Sequence, residues 1–169
     1  VDFDDEMRAR IAANQRDGGA RFVTREVPDA LEDALQECAA ASVVVIDCLT
    51  LWLSNLLLAD LSDADIDARV EGLQHGFIHA GVVAAIADIP GEVLVVTNEV
   101  GMGIVPEHAL ARRFRDVAGR AHQRLGREAD ELIFATLGVL VRLRPEPLGL
   151  VGSWPQMRVQ SRPARLTRA

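Results

Sequence analysis

The sequence predicts an α/β domain built on a mostly parallel sheet with helices on both faces. Two apolar, β-branched runs carry this prediction, at 42–47 and 92–97, and helix-length segments flank both. Apolar runs without polar alternation are typical of strands that are buried on both faces. The chain has 169 residues, 49% of them hydrophobic and 25% charged, which fits one globular domain with a substantial core.

Helix and strand alternate along the chain. Pro28 suits the first turn of a helix, Ser62 is a suitable N-cap, and the pair Pro90–Gly91 ends a helix. In chain order, the predicted elements are a helix at 6–13, a strand at 22–24, a helix at 28–40, a strand at 42–47, helices at 51–58 and 61–89, a strand at 92–97, a helix at 106–129, and strands at 131–136 and 139–143.

The composition changes near residue 143. Residues 144–169 carry four prolines and five arginines against one acidic residue, Glu146. We therefore expect a domain at 1–143 followed by a basic, Pro-rich tail at 144–169.

Composition excludes several classes of protein. The net charge of −7 argues against a general binder of nucleic acid or anionic membranes. All 18 basic residues are arginine, so these residues supply neither a Schiff-base lysine nor a Walker A lysine. The two cysteines lack CxxC spacing, which favours a reducing, cytoplasmic setting, and no apolar run approaches the roughly 20 residues of a membrane span.

Carboxylates follow both predicted strands. Asp47 ends the first strand in the manner of a Walker B aspartate, which holds Mg²⁺ beside nucleotide phosphates. Glu99 follows the second strand, and Gly101 and Gly103 after it allow a close approach of the backbone to a ligand. The structural alternatives are a helix N-cap for Asp47 and a tight strand-to-helix turn for the glycines.

Two further patterns favour structural roles. His75 and His79 lie four residues apart on one helix face, but no third metal ligand accompanies them, and the nearby glycines favour close packing. Arginines crowd the predicted helix at 106–129, where acidic residues among them favour an ion-paired, solvated face, with a phosphate or partner contact as the alternative.

Three segments together resemble a known family. They are VVVIDCLTLWLSNLL at 43–57, VLVVTNEVGMGIVP at 93–106, and LARRFRDVAGR with the following QRL at 110–125. These segments resemble the bifunctional adenosylcobinamide kinase/adenosylcobinamide-phosphate guanylyltransferases of cobalamin biosynthesis. The TNEVGMGIVP stretch is the most specific of the three, and the resemblance covers roughly residues 4–143.

The resemblance implies a P-loop-NTPase-like (RecA-like) fold and a homo-trimer. It implies two reactions, phosphorylation of adenosylcobinamide by a nucleoside triphosphate, and transfer of GMP from GTP to the product through a guanylyl-histidine. Mg²⁺ would accompany GTP or ATP in both. Family members begin with a strand and a P-loop, so we expect that region to be missing from the chain as given.

The resemblance also assigns residues. Asn14 occupies the position of the guanylylated histidine, and an amide cannot serve as the covalent nucleophile. The nucleotide-binding positions that carry over are Gln15, Arg16, Asp17, Gly18, Glu26 and Asp47, and Asp47 is also the expected metal ligand. His122 stands where the family usually has asparagine.

Three hypotheses follow. The chain is an enzyme of this family, or a non-catalytic homologue that acts as a binding or oligomer-assembly module, or an unrelated α/β nucleotide-binding domain. The TNEVGMGIVP stretch disfavours the third.

Overall fold

The computed structural model describes residues 5–6, 8–9, 13, 22–38, 40–75, 86, 89–145 and 149–153. Within them, the helices and strands are α1 (Leu31–Glu37), β1 (Val43–Asp47), α2 (Leu49–Leu58), α3 (Asp63–His75), β2 (Glu92–Val96), α4 (Ala109–Glu128), β3 (Leu132–Thr136), β4 (Val139–Arg144) and β5 (Gly149–Ser153). The chain divides into two compact units, at 1–118 and 119–169.

The first unit contains a parallel pair of strands, as the sequence predicts. β1 pairs with β2 from Val43↔Glu92 to Asp47↔Val96, so both strands end at the same edge. Gly91 precedes β2 where a Cβ would lie 2.4 Å from the Ala41 and Ser42 carbonyl oxygens. This spacing explains why a residue without a side chain stands there.

The expected equal burial of both strand faces is wrong. Val43 and Val45 of β1 and Leu94 and Val96 of β2 are each 42–44% exposed, whereas Ile46 is 7% exposed. Residues of one strand alternate between the two faces of a sheet, so these four share one face. β-branched residues favour extended backbone through their restricted χ1 angles, and this preference does not require that they be buried.

Helices supply the core of the first unit. α2 buries a set of large side chains, and α3 buries three residues at the i, i+4 and i+7 spacing of one helix face. α3 contacts both α1 and α2. The buried residues are Leu31 and Leu35 of α1, Leu49, Trp52, Leu53, Leu56 and Leu57 of α2, and Ile66, Val70 and Leu73 of α3.

The observed bounds of α1 and α3 can be compared with the predicted helices at 28–40 and 61–89. The Ser62 hydroxyl accepts a hydrogen bond from the Asp65 amide at 3.2 Å, which confirms Ser62 as the N-cap of α3. The predicted helix at 61–89 is confirmed as far as His75, and 76–85, 87 and 88 lie outside the described residues. The predicted helix at 28–40 is confirmed only over Leu31–Glu37.

The predicted strand at 22–24 is wrong. These residues have no regular secondary structure, and Phe22 and Val23 are 55% and 90% exposed. A strand is stabilised by hydrogen bonds to a neighbouring strand, and among the described residues β1 pairs only with β2.

The second unit corrects the expectation of a mostly parallel sheet. β3, β4 and β5 form a separate, antiparallel sheet in the order β3-β4-β5. Leu137 and Gly138 join β3 to β4 with φ angles of 50° and 75°. A two-residue turn with both φ angles positive is the preferred connection of an antiparallel hairpin, whereas parallel strands need a longer crossover.

β5 lies within the predicted tail at 144–169, and its backbone pairs with β4. Arg144 also has a structural role, because it donates to the Gly126 and Arg127 carbonyl oxygens at the end of α4, both at 2.6 Å. A basic side chain there satisfies carbonyls that a helix end leaves without partners. The tail boundary remains a prediction.

Among the described residues, every helix is too short or too polar to cross a membrane.

Candidate functional site

The carboxyl edge of the parallel strands brings two loops together. Asp47 is exposed and lies opposite Val96, the last residue of β2. The loop that carries Asn98 and Glu99 therefore starts beside Asp47, as the sequence predicts. Ligands of open α/β sheets bind at this edge.

A polar cluster ties the two loops together. Asn98 donates through Nδ2 to the Thr50 hydroxyl at 2.8 Å, and the same nitrogen lies 3.7 Å from the Cys48 sulfur. Thr50 is 5% exposed, so this bond satisfies a buried hydroxyl and fixes the loop after β2 against the start of α2. Sequence reasoning missed this cluster, although its signals are an asparagine two residues after one strand and a threonine three residues after the other.

Glu99 closes its own loop. Its Oε1 accepts a hydrogen bond from the Gly101 amide at 2.6 Å, and the Gly101 carbonyl accepts one from Arg115. A Cβ on Gly101 would lie 2.6 Å from that same Oε1, so the glycine accommodates the bond, whereas Gly103 has open space around it. These contacts support the alternative of a structured strand-to-helix turn.

The arginines at the start of α4 bind backbone carbonyls on preceding segments. Arg112 donates to Pro106 and Glu107, at 3.0 and 2.5 Å. Arg113 binds Asp63 at 2.6 Å and the Leu61 carbonyl at 2.5 Å. The predicted ion-paired face is thus only part of their role, because they also satisfy loop carbonyls.

Glu26 lies in an exposed segment directly before a firmly held turn. The Pro28 carbonyl accepts a hydrogen bond from Asn55 at 2.8 Å. The Asp29 carbonyl accepts from Trp52 Nε1 at 2.7 Å and from Arg69 at 2.5 Å. Side chains from two helices therefore fix the chain a few residues after Glu26.

Arg69 is the centre of this network. It forms a two-point ion pair with Glu32, at 2.8 and 2.6 Å, and its guanidinium lies 5.4 Å from the centre of the Trp52 ring. The hydrogen bond to Glu32 raises the pKa of Arg69 above its usual value, against the opposing effect of burial. Because the pKa is higher in the folded than in the unfolded protein, the charged form stabilises the fold at every pH below the unfolded value, and this contribution is lost only as the pH rises through the raised value.

Comparison with known proteins decides the family. Residues 1–143 match the family model described as cobinamide kinase/cobinamide phosphate guanyltransferase, CobU. The chain belongs to the CobU family. The bifunctional adenosylcobalamin biosynthesis proteins CobP of Pseudomonas aeruginosa and CobU of Salmonella typhimurium are 36% and 38% identical to it. The first match covers 86% of this chain and 79% of the relative, and the second covers 84% and 81%.

Membership of the CobU family directs attention to the positions that the resemblance assigns. Glu26 and Asp47 are described and both are exposed. Asn14 and the four residues at 15–18 lie outside the described residues, as does His79. His122 lies in α4 and is half-buried.

Asp47 is the candidate metal ligand at the carboxyl edge of β1 and β2. The part of the chain that the structure describes holds no group of three His, Cys, Asp or Glu side chains that could bind a metal ion. Mg²⁺ commonly uses one or two carboxylates together with substrate phosphates and water. Asp47 therefore fits an ion that arrives with a nucleotide rather than an all-protein metal site.

Proposed function

We propose that this chain is a cobalamin-biosynthesis protein of the CobU type, whose family reactions are phosphorylation of adenosylcobinamide and transfer of GMP to adenosylcobinamide phosphate, and that these 169 residues by themselves supply nucleotide binding without catalysis. The observation that carries the proposal is the family match over residues 1–143, which includes the TNEVGMGIVP stretch. The parallel pair of strands and the loops at its carboxyl edge are consistent with it. The proposal includes a RecA-like topology for the complete fold.

In this proposal, Glu26 and Asp47 face a guanine nucleotide together with Gln15, Arg16, Asp17 and Gly18. Asp47 would hold Mg²⁺, which when bound neutralises phosphate charge and so lets two carboxylates approach a triphosphate. The exposure of Glu26 and Asp47 makes both carboxylates accessible to a ligand. Asn98 would hold the neighbouring loop in place through Thr50.

The chemistry available to these 169 residues is narrower than that of the family. Asn14 cannot form a phosphoramidate bond to GMP, because an amide nitrogen is not nucleophilic. The residues also contain no lysine and no GxxxxGK[ST] loop to hold a triphosphate. We therefore expect weak, non-covalent recognition of the nucleotide by this polypeptide.

Titration with GTP and Mg²⁺, followed by NMR, tests the proposed nucleotide site. We expect a dissociation constant in the millimolar range for the chain, and about tenfold weaker binding for Glu26→Gln and for Asp47→Asn, because each removes a charged hydrogen-bond or metal partner. Asp33→Asn is the matched control, since Asp33 is an exposed carboxylate on α1 that has no proposed contact with the nucleotide. Binding that is absent, or equal in all four proteins, contradicts the proposal.

One observation favours an oligomer-assembly role as a second candidate. Met102, Ile104 and Val105, in the loop after Glu99, are 76%, 97% and 64% exposed. Several exposed apolar side chains within one short loop are typical of a surface that contacts a partner, and the family resemblance implies a trimer.

Light scattering on a sizing column tests this second candidate. We expect a mass about three times the 18.3 kDa of the chain, as the proposed trimer requires. Ile104→Ser should shift the protein toward the monomer. Leu137→Ser should leave the mass unchanged, because Leu137 is equally exposed, at 96%, but lies in the β3–β4 turn. A monomeric wild-type chain would contradict this role.

A further inference from the structure

The turn at Pro28 and Asp29 is held by three side chains that come from two different helices. Trp52 and Asn55 lie three residues apart on α2, and Arg69 lies on α3. All three donate to the carbonyl oxygens of the turn, at 2.5 to 2.8 Å. We call these three residues the turn anchor.

The turn anchor is partly withdrawn from water: the Trp52 bond and the Arg69–Glu32 pair are part-buried, whereas the bonds from Asn55 to Pro28 and from Arg69 to Asp29 are exposed. Trp52 is 3% exposed, and the side chains of Arg69 and Glu32 are 25% and 19% exposed. Charged hydrogen bonds that are partly withdrawn from solvent are stronger than those at an open surface. The geometry also uses the fork of the guanidinium, since Arg69 binds the Glu32 carboxylate and the Asp29 carbonyl at once.

The turn anchor links the chain segment that follows Glu26 to the helix that follows Asp47. Glu26 lies three residues before Asp29, and three residues of chain span at most about 11 Å. Asp47 lies two residues before Leu49, the first residue of α2, which carries Trp52 and Asn55. The same helix therefore follows Asp47 directly and holds the chain that follows Glu26.

We propose that Arg69, with Trp52 and Asn55, positions Glu26 relative to Asp47 for binding of a guanine nucleotide. This inference rests on the proposed function, in which both carboxylates face the nucleotide. Arg69 is a positioning residue, because it acts through the turn and not through a contact with the ligand.

Packing of the helices alone does not require this arrangement. The apolar residues Leu31, Leu35, Ile66 and Val70 already bury the helix faces. The side chains of the turn anchor instead donate hydrogen bonds to the backbone carbonyl oxygens of the turn. These hydrogen bonds fix the position of the backbone that follows Glu26. Glu26 itself lies outside any helix or strand.

A double-mutant cycle on nucleotide affinity tests the inference. GTP with Mg²⁺ is titrated into the wild-type chain, Arg69→Met, Glu26→Gln and the double variant. We expect Arg69→Met to weaken binding about fivefold, which is typical for coupled residues of one network. In the Glu26→Gln background the same change should have no further effect, because the side chain that it positions is already altered.

Arg113→Met is the matched control. Arg113 also binds one carboxylate and one backbone carbonyl, on Asp63 and Leu61, and its side chain is similarly half-buried. We expect it to lower the thermal midpoint much as Arg69→Met does, while GTP affinity stays at the wild-type value. If Arg69→Met fails to fold, Asn55→Ala removes one donor of the turn anchor and should show the same dependence on Glu26.

The outcomes separate the two proposals. If Glu26→Gln weakens binding but Arg69→Met does not, or weakens it equally in both backgrounds, the positioning role is wrong and the proposed function stands. If wild-type chain binds GTP and Glu26→Gln has no effect, the assignment of Glu26 is wrong, and the inference is overturned with it. Absence of GTP binding in every protein overturns both.

Discussion

Incubation of the 169-residue polypeptide with radiolabelled GTP and Mg²⁺ should leave it unlabelled on a denaturing gel. In the proposed assignment, Asn14 stands where the family resemblance implies the guanylylated histidine, and an amide cannot serve as the covalent nucleophile. A phosphate-binding loop is absent from these residues as well, so the triphosphate would not be held for attack. The same loss should abolish phosphorylation of adenosylcobinamide, and we expect both activities at background level.

The Salmonella typhimurium relative, treated in parallel, serves as the comparison protein. His122 provides the sharpest challenge to this prediction, because the resemblance places it where the family usually has asparagine. It lies within α4, half-buried. An acid-labile label that persists in Asn14→Ala but disappears in His122→Ala would make His122 a substitute nucleophile and contradict the expected result.

Leu53→Ala should lower the free energy of unfolding by about 3 kcal/mol. Leu53 lies in α2 and is 0% exposed, so the truncation leaves a cavity among the buried residues of the first unit. Urea denaturation followed by circular dichroism measures the change. The loss would be a large part of the stability of a domain of this size.

Leu51→Ala is the control for that experiment. Leu51 lies on the same helix, carries the same side chain and is 59% exposed. We expect its truncation to change the free energy of unfolding by less than about 0.5 kcal/mol. Equal effects for the two variants would mean that α2 does not bury the face that the structure assigns to it.

The parallel pair was predictable because its signal is local and strong. The runs at 43–46 and 93–96 are apolar and β-branched, and each is followed by polar residues. Neighbouring parallel strands end at the same edge of a sheet. The proximity of Asp47 to the loop with Asn98 and Glu99 was therefore predictable from the strand assignment alone. The N-cap at Ser62 was predictable for the same reason, since capping uses residues within one turn.

The direction of the strands in the second unit was not predictable from local sequence patterns. The strands at 132–136 and 139–144 were visible as apolar runs, but their direction depends on Leu137 and Gly138. Leucine seldom adopts a positive φ angle, so the residue types at 137 and 138 do not predict this turn. The short apolar run at 22–24 has a strand-like composition, yet a strand also needs a partner, which composition does not report.

The turn anchor was not predictable from spacing. Arg69 and Asp29 are separated by 40 residues, and their bond involves a backbone carbonyl that has no signature in the sequence. The sequence spacing indicates only that Trp52 and Asn55, three residues apart, share one helix face. The roles proposed for Glu26 and Asp47 came from the family resemblance, because exposed carboxylates are common on any surface.

The long separation of β1 from its partner has a consequence for synthesis of the chain. Val43 pairs with Glu92, which is made 49 positions later. At the usual elongation rate of about 5 to 20 residues per second, β2 is synthesised about 2 to 10 seconds after β1. During that interval the unpaired run Val43–Ile46 is open to pairing with strands of other chains, so the nascent polypeptide passes through a stage at which chaperones have a segment to protect.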